Sequence, residues 1–181
     1  MNTDSLATFV ERLRATRARP TDVPTFDPGN GNENAKFLFV LEAPGPQALK
    51  SGVVSIENQD PTARNLKELL TNAKIDKREI AVWNVVPWYI GNEDWTLIRS
   101  PNIADIQEGI DSLIRLLPIF KNLRCIVLVG SSARKAHIRL SSATTARILA
   151  CHHTSQRVAN TSAKSRQENA AVFSHLRTTT P

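Results

Sequence analysis

The sequence predicts an α/β fold: a three-layer α/β/α sandwich around a central, mostly parallel four-stranded sheet. Three observations predict it. Four short apolar runs, at 36–41, 79–87, 123–129 and 147–151, have strand length and not helix length. Each run ends in turn-forming or polar residues and is followed by a segment with helical spacing. Strands that alternate with helices in this way pair in parallel, and right-handed crossovers then carry the strand carboxyl ends to one rim. At 181 residues the chain reads as one domain, with an N-terminal helix and loop over 1–34 and the α/β core over 35–178.

The elements follow in order. Thr3 to Arg17 reads as an amphipathic helix with Leu6, Phe9, Val10 and Leu13 on one face. Pro20 to Asn34 is a loop rich in Pro, Gly, Asn and Asp. The first strand, Lys36–Leu41, stops before Pro44 and Pro46, which cannot donate to a ladder. Gly45 to Asp60 reads as a polar loop whose length suggests a functional role. Asp60 followed by Pro61 is an N-cap with proline at the first helical position, opening a helix to about Ala73 that buries Leu66, Leu69 and Leu70. The second strand lies within Glu79 to Pro87. After a loop at Gly91–Pro101, Asn102 caps a helix carrying Ile103, Ile106, Ile110, Leu113, Ile114 and Leu117. Leu123–Val129 is the third strand. Gly130, Ser131 and Ser132 turn it into a short helix, Ala133 to Leu140. Arg147–Cys151 is the last strand, followed by His152 and His153, a loop at Thr154–Asn160 and a final helix, about Ser162 to Arg177.

Composition narrows the function. Apolar residues make up 41% and charged residues 22%, as in ordinary soluble domains. No apolar run approaches the roughly 20 residues of a membrane span, so no membrane partner is expected. The amino terminus has no secretory apolar segment, and Asp4 and Glu11 argue against a transit peptide; a cytoplasmic monomer is the expectation. Cys125 and Cys151 sit in strand-like runs and read as buried thiols. Two cysteines alone cannot ligate a structural zinc or an iron–sulfur cluster, and no metal or other cofactor is expected. Residues 1–120 carry 13 Lys and Arg against 16 Asp and Glu; residues 121–181 carry 10 against the single acid Glu168. So lopsided a basic region favours a polyanionic partner such as nucleic acid over a merely soluble surface.

Four residues at strand ends stand out, because open α/β sheets bind ligands there. Glu42 is a carboxylate just past a buried strand. Asn84 carries a donor and an acceptor on one amide, able to read the edge of a base. His153 can donate to an anion or accept a proton. Gly130, with Ser131 and Ser132, can hold an anion at a helix N-terminus. Ser155 adds a hydroxyl and a backbone N–H suited to phosphate. Plainer roles stand beside these: Glu42 as a solvated loop acid, Asn84 satisfying backbone groups, and either His152 or His153 as a surface histidine. Trp83, Trp88 and Trp95 read as packing residues; His137 and His175 lie on predicted helices.

Taken together, EAPGP after the first strand, NVVPW after the second, LVGSSARKAH around the third and HHTSQRVAN after the fourth resemble the uracil-DNA glycosylase superfamily over about 36–177. Glu42-Ala43-Pro44-Gly45 is similar to the first motif of the branch that carries an iron–sulfur cluster, but that branch uses four cysteines, so no cluster is implied here. His153-Thr154-Ser155-Gln156 is similar to the family's His-Pro-Ser-Pro motif with both prolines replaced. The resemblance implies an enzyme that cuts the N-glycosidic bond of uracil, or a related deaminated base, in DNA. It implies Glu42 and His153 as catalytic, Ala43, Pro44, Gly45, Asn84 and Ser155 as substrate-binding, and Gly130, Ser131, Ser132, Arg157 and Asn160 as DNA-binding. Arg157 stands where the family inserts a wedge into the stack, with a plain phosphate contact as its other reading. One departure matters: between Pro46 and Asn65 there is no aromatic ring to stack on a flipped base, so stacking would fall to Val53, Val54, Ile56 or a ring from elsewhere. A non-catalytic DNA-binding module of the same fold, and a small-molecule nucleosidase, are the competing functions.

Overall fold

The computed structural model describes residues 5–155 and 163–178. The expected sheet forms from four strands: β2 (Phe37–Leu41), β4 (Ile80–Asn84), β5 (Cys125–Val129) and β6 (Arg147–Cys151). All three pairings are parallel, in the order β4-β2-β5-β6. The first three strands are buried at every position, as residues covered on both faces must be. β4 and β6 are the two edge strands, and of these β6 is the more exposed.

Alternation along the strands divides the core into two layers. On one face, Trp83 of β4 stacks on Phe26 with ring centroids 4.0 Å apart, and Phe9 of α1 (Leu6–Ala15) meets its edge at 6.3 Å. Helix α4 (Ile103–Leu116) lies on this side too, across a groove shared with α1. On the other face, Phe39 of β2 stacks on Phe173 of the last helix, 5.3 Å away, and α3 (Pro61–Asn72) packs beside that helix. Helix–sheet–helix is therefore the observed layering.

Local chemistry explains the helix boundaries. Asp60 accepts from the Ala63 N–H and Pro61 fills the first helical position of α3, as predicted. Asn102 and Asp105 form a reciprocal capping box at the start of α4. Ser5 caps α1, its side chain accepting from the Thr8 N–H.

Several expectations are corrected. The 45–60 stretch is not wholly loop: it holds α2 (Pro46–Ser51), ended by Gly52 at φ 76°, and a two-residue strand, β3 (Val53–Val54). β3 pairs in parallel with β1 (Thr25–Phe26), inside the region read as an N-terminal loop. Elements of two and six residues are too short to show periodicity. The single helix expected after Gly130 is two: α5 (Ser131–Arg134) and α6 (His137–Ser141). The last helix, α7, is Ala163–Thr178. Ile103, at the first position of α4, is 73% exposed instead of buried.

Both cysteines are free and buried, and burial pushes the thiol of Cys125 up to about 11 and that of Cys151 up to about 12. They lie at opposite ends of neighbouring strands, since Cys125 pairs with Arg147 and Cys151 with Val129. Among the described residues no helix is long and apolar enough to cross a membrane.

One helix–sheet contact sets how closely α4 approaches. A Cβ on Gly109 would lie 1.9 Å from the Val85 carbonyl oxygen. Helix propensity alone favours alanine there by about 1 kcal/mol. Backbone overlap cannot be relieved by a rotamer change, so Gly109→Ala should destabilise the fold by about 1–3 kcal/mol in urea unfolding. A variant as stable as the parent would show that α4 does not dock this closely.

Candidate functional site

Four strand ends form the rim, and the strand order sets who stands beside whom. Asn84 ends β4, Glu42 follows β2, Gly130 follows β5 and His153 lies two residues past β6. Leu41 pairs with Asn84, so Glu42 follows directly beside the amide. His153 starts two strand spacings from Glu42, about 10 Å at the usual separation. Gly130 stands between them. A Cβ on Gly130 would lie 2.9 Å from the His153 Cδ2, and the residue sits at φ 90°, where only glycine is unstrained. The imidazole therefore lies against the bare backbone of Gly130, on the Glu42 side of β6.

A cleft of about 330 Å³ opens at this rim, and Glu42, Asn84 and His153 all line it. Val82 and Asn84, two residues apart, both face it, while Trp83 between them points to the opposite layer. The floor and walls include Pro44, Pro46, Val54, Leu66 and Ile98, and no Phe, Tyr or Trp among the described residues. Of the aliphatic residues considered for stacking on a base, Val54 is in the wall; Val53 and Ile56 are not. Ala43 and Gly45 also line the cleft, so the whole Glu42–Gly45 turn does.

Each polar group has a defined state. The Ser132 hydroxyl donates to Glu42 Oε2 at 2.6 Å, fixing the carboxylate from the β5 side. The Ser155 N–H donates to His153 Nδ1 at 3.0 Å. A nitrogen that accepts is unprotonated, so in the neutral ring the proton is on Nε2. Burial lowers the His153 pKa below its ordinary value, opposed by the nearby Glu42 charge. Asn84 is 3% exposed and its Nδ2 is buried with no hydrogen-bond partner among the described residues. An orphaned buried donor costs about 1–3 kcal/mol, so its presence in a cleft wall points to a ligand acceptor.

His152 and His153 separate cleanly. His152 Nε2 lies 2.6 Å from Glu168 Oε2 on α7, away from the cleft. The buried Asn169 side chain accepts from the His152 N–H at 2.8 Å and donates to its carbonyl at 3.2 Å, pairing like an added strand. From α3, Asn65 donates to the Thr154 carbonyl at 2.7 Å. The turn bearing His153 is thus held from both helices of its layer.

The remaining predicted residues fall as follows. Ser131 is exposed beside the rim; Ser132 is buried with its hydroxyl on Glu42, and the Ser155 N–H serves His153, so neither of those two donors faces a phosphate here. Arg157 and Asn160 lie outside the described residues. Sequence reasoning missed Ser132 as the partner of Glu42, Asn65 and Asn169 as anchors, and the cleft-lining Asn58, Asp60 and Thr62. The Asp60-Pro61 cap was a usable signal, since it places the start of α3 at the rim; nothing in the sequence marked the two anchoring asparagines.

An acid, an amide and an imidazole stand together at the carboxyl rim of a parallel sheet, the edge at which open α/β domains take their ligands. Comparison with known families makes that class specific. Residues 28–177 match the model of the Uracil DNA glycosylase superfamily, and the chain belongs to that superfamily. The fold is shared with a Methanosarcina acetivorans protein, provisionally described as a uracil DNA glycosylase and solved by solution NMR. That match has a TM-score of 0.52 at 16% identity, over 81% of this chain and 93% of that one. No curated protein sequence matches the chain.

Two outcomes test the site geometry. First, the unfolded chain should protonate at His153 before the folded one, because burial lowers the folded value below 6.5. Stability should therefore be fully present above pH 6.5 and be lost as pH falls towards the folded value. NMR titration of the ring should give the depressed value directly; a ring titrating at or above 6.5 would place His153 in solvent. Second, Gly130→Ala should displace the imidazole and cost about 1–3 kcal/mol, read as changed His153 ring shifts together with a lower urea midpoint.

Proposed function

We propose that the chain is a monofunctional DNA glycosylase that hydrolyses the N-glycosidic bond of uracil, or a related deaminated base, and leaves an abasic site. The observation that carries this reading is the shared cleft. It brings together a fixed carboxylate, a buried amide N–H₂ without a partner among the described residues and a histidine whose proton is on Nε2.

The chemistry follows from the groups. The target nucleotide must leave the stack, because its C1′–N bond is shielded in the duplex. As that bond breaks, positive charge grows on the sugar and negative charge on the base. Glu42 stabilises the sugar cation and orients the water that adds to C1′, taking its proton. The His153 Nε2–H donates to the base oxygen on which charge develops; a neutral imidazole suffices, because a fixed donor needs no proton transfer. Asn84 donates to a carbonyl of the base and favours uracil over cytosine, whose amino group at that position would leave the amide unpaired. Aliphatic walls and prolines take the place of a stacking ring. The basic carboxyl-terminal region supplies phosphate contacts that give affinity without reading sequence.

The lack of a Phe, Tyr or Trp in the wall, among the described residues, favours one alternative, a module that binds DNA without efficient catalysis. The deciding assay incubates the purified protein with single- and double-stranded oligonucleotides containing uracil, hypoxanthine or xanthine, then cleaves abasic sites with alkali. Strand breaks with the parent protein, reduced by about 10²–10⁴-fold in Glu42→Gln and His153→Ala, are the expected result. Salt-sensitive DNA binding without breaks on any of the three bases selects the binding module.

A further inference from the structure

A second polar cavity lies on the other layer of the sandwich. It is a groove of about 520 Å³ between α1 and α4, with Phe9 and Leu13 on one wall. Arg12, Arg17 and Arg115 line it, against one acid, Glu108, which is ion-paired with Arg17. The other acids of these helices are engaged elsewhere: Glu11 with Arg14, Asp105 with Arg99, and Asp111 with Arg139. Arg115 is exposed and has no ion-pair partner among the described residues.

Two buried groups in this groove lack partners. Ser112 is 1% exposed, and its Oγ has no hydrogen-bond partner among the described residues. Arg17 Nε is likewise buried and unpartnered, while its guanidinium stacks 3.5 Å over the Trp88 ring and is held by Glu108. Serine on an α4 position that faces the sheet layer is not a packing choice; Ala would bury no hydroxyl. Both orphans can donate, and the exposed Arg115 lines the same groove. What satisfies two donors beside cations is an oxyanion.

We infer that the α1–α4 groove is a phosphate-binding site, in which Ser112 Oγ and Arg17 Nε donate to the anion and Arg115 neutralises it. The site is separate from the rim cleft, which opens on the α3 side of the sheet, and it does not depend on the glycosylase reading. The phosphate belongs either to a free phosphorylated compound or to a DNA backbone.

The test uses the full chain and two variants that leave the core packed, Arg115→Gln at the surface and Ser112→Ala, which removes only an unpaired hydroxyl. Thermal unfolding is followed in inorganic phosphate against chloride at equal ionic strength. The parent midpoint should rise with phosphate, and each variant should need about tenfold more phosphate for the same rise, as expected for one lost charge-assisted or buried donor. Equal responses in all three proteins, or none in the parent, overturn the site. A loss with Arg115→Gln but not Ser112→Ala also overturns it, because only a loose surface charge would remain. Salt-titrated binding to an undamaged duplex then identifies the source. If both variants bind DNA more weakly and Arg115→Gln lowers the salt slope by about one, the phosphate is the backbone's. If DNA binding is unchanged while the phosphate response is lost, the ligand is a free phosphorylated compound.

Discussion

The arrangement of the rim depends on a missing side chain. Strand order β4-β2-β5-β6 puts Asn84 and Glu42 side by side but separates Glu42 from His153 by a whole strand. Any Cβ at the end of β5 would occupy the space where the imidazole rests, since one on Gly130 comes within 2.9 Å of it. With glycine there, the histidine side chain lies over the intervening strand end and lines the same cleft as the acid and the amide. The glycine also takes the φ of 90° that lets β5 turn directly into α5, which is where Ser132 reaches Glu42. One residue thus positions both chemical groups.

Around that constraint the polar groups are held by bonds that also fix their chemistry. The Ser155 N–H settles which nitrogen of the neutral His153 ring carries the proton, and burial favours that neutral form. Ser132 occupies one carboxylate oxygen of Glu42. Two asparagines on different helices, Asn65 and Asn169, pin the backbone of the histidine turn. Such a site is organised before a ligand arrives, and the amide N–H₂ of Asn84, buried without a partner among the described residues, is suited to recognising a ligand.

Much of the fold was legible because its signals are local. Buried parallel strands read as unbroken apolar runs, and Asp60-Pro61 and Asn102 announced two helix starts through cap chemistry that needs only neighbouring residues. The misses share a cause. β1 and β3 are two residues each and exist only because they find one another across the chain, and α2 is six residues between Gly45 and Gly52. No window of sequence that short has a period to detect. Ile103 keeps the helical spacing of its neighbours yet is exposed, because spacing marks a face and not how far along the helix that face is covered.

What the sequence determined by itself was the list of parts: four strand ends bearing Glu42, Asn84, Gly130 and His153, a handedness rule that sends them to one rim, and a basic carboxyl-terminal third. The tertiary structure alone decided which histidine faces the cleft, what Ser132 does and where the α1–α4 groove leaves two donors unpaired. The physical reason is one of range. Propensity, capping and apolar runs are properties of adjacent residues. Hydrogen-bond partnership across 90 positions, as between Glu42 and Ser132, is a property of strand order, which no local pattern encodes.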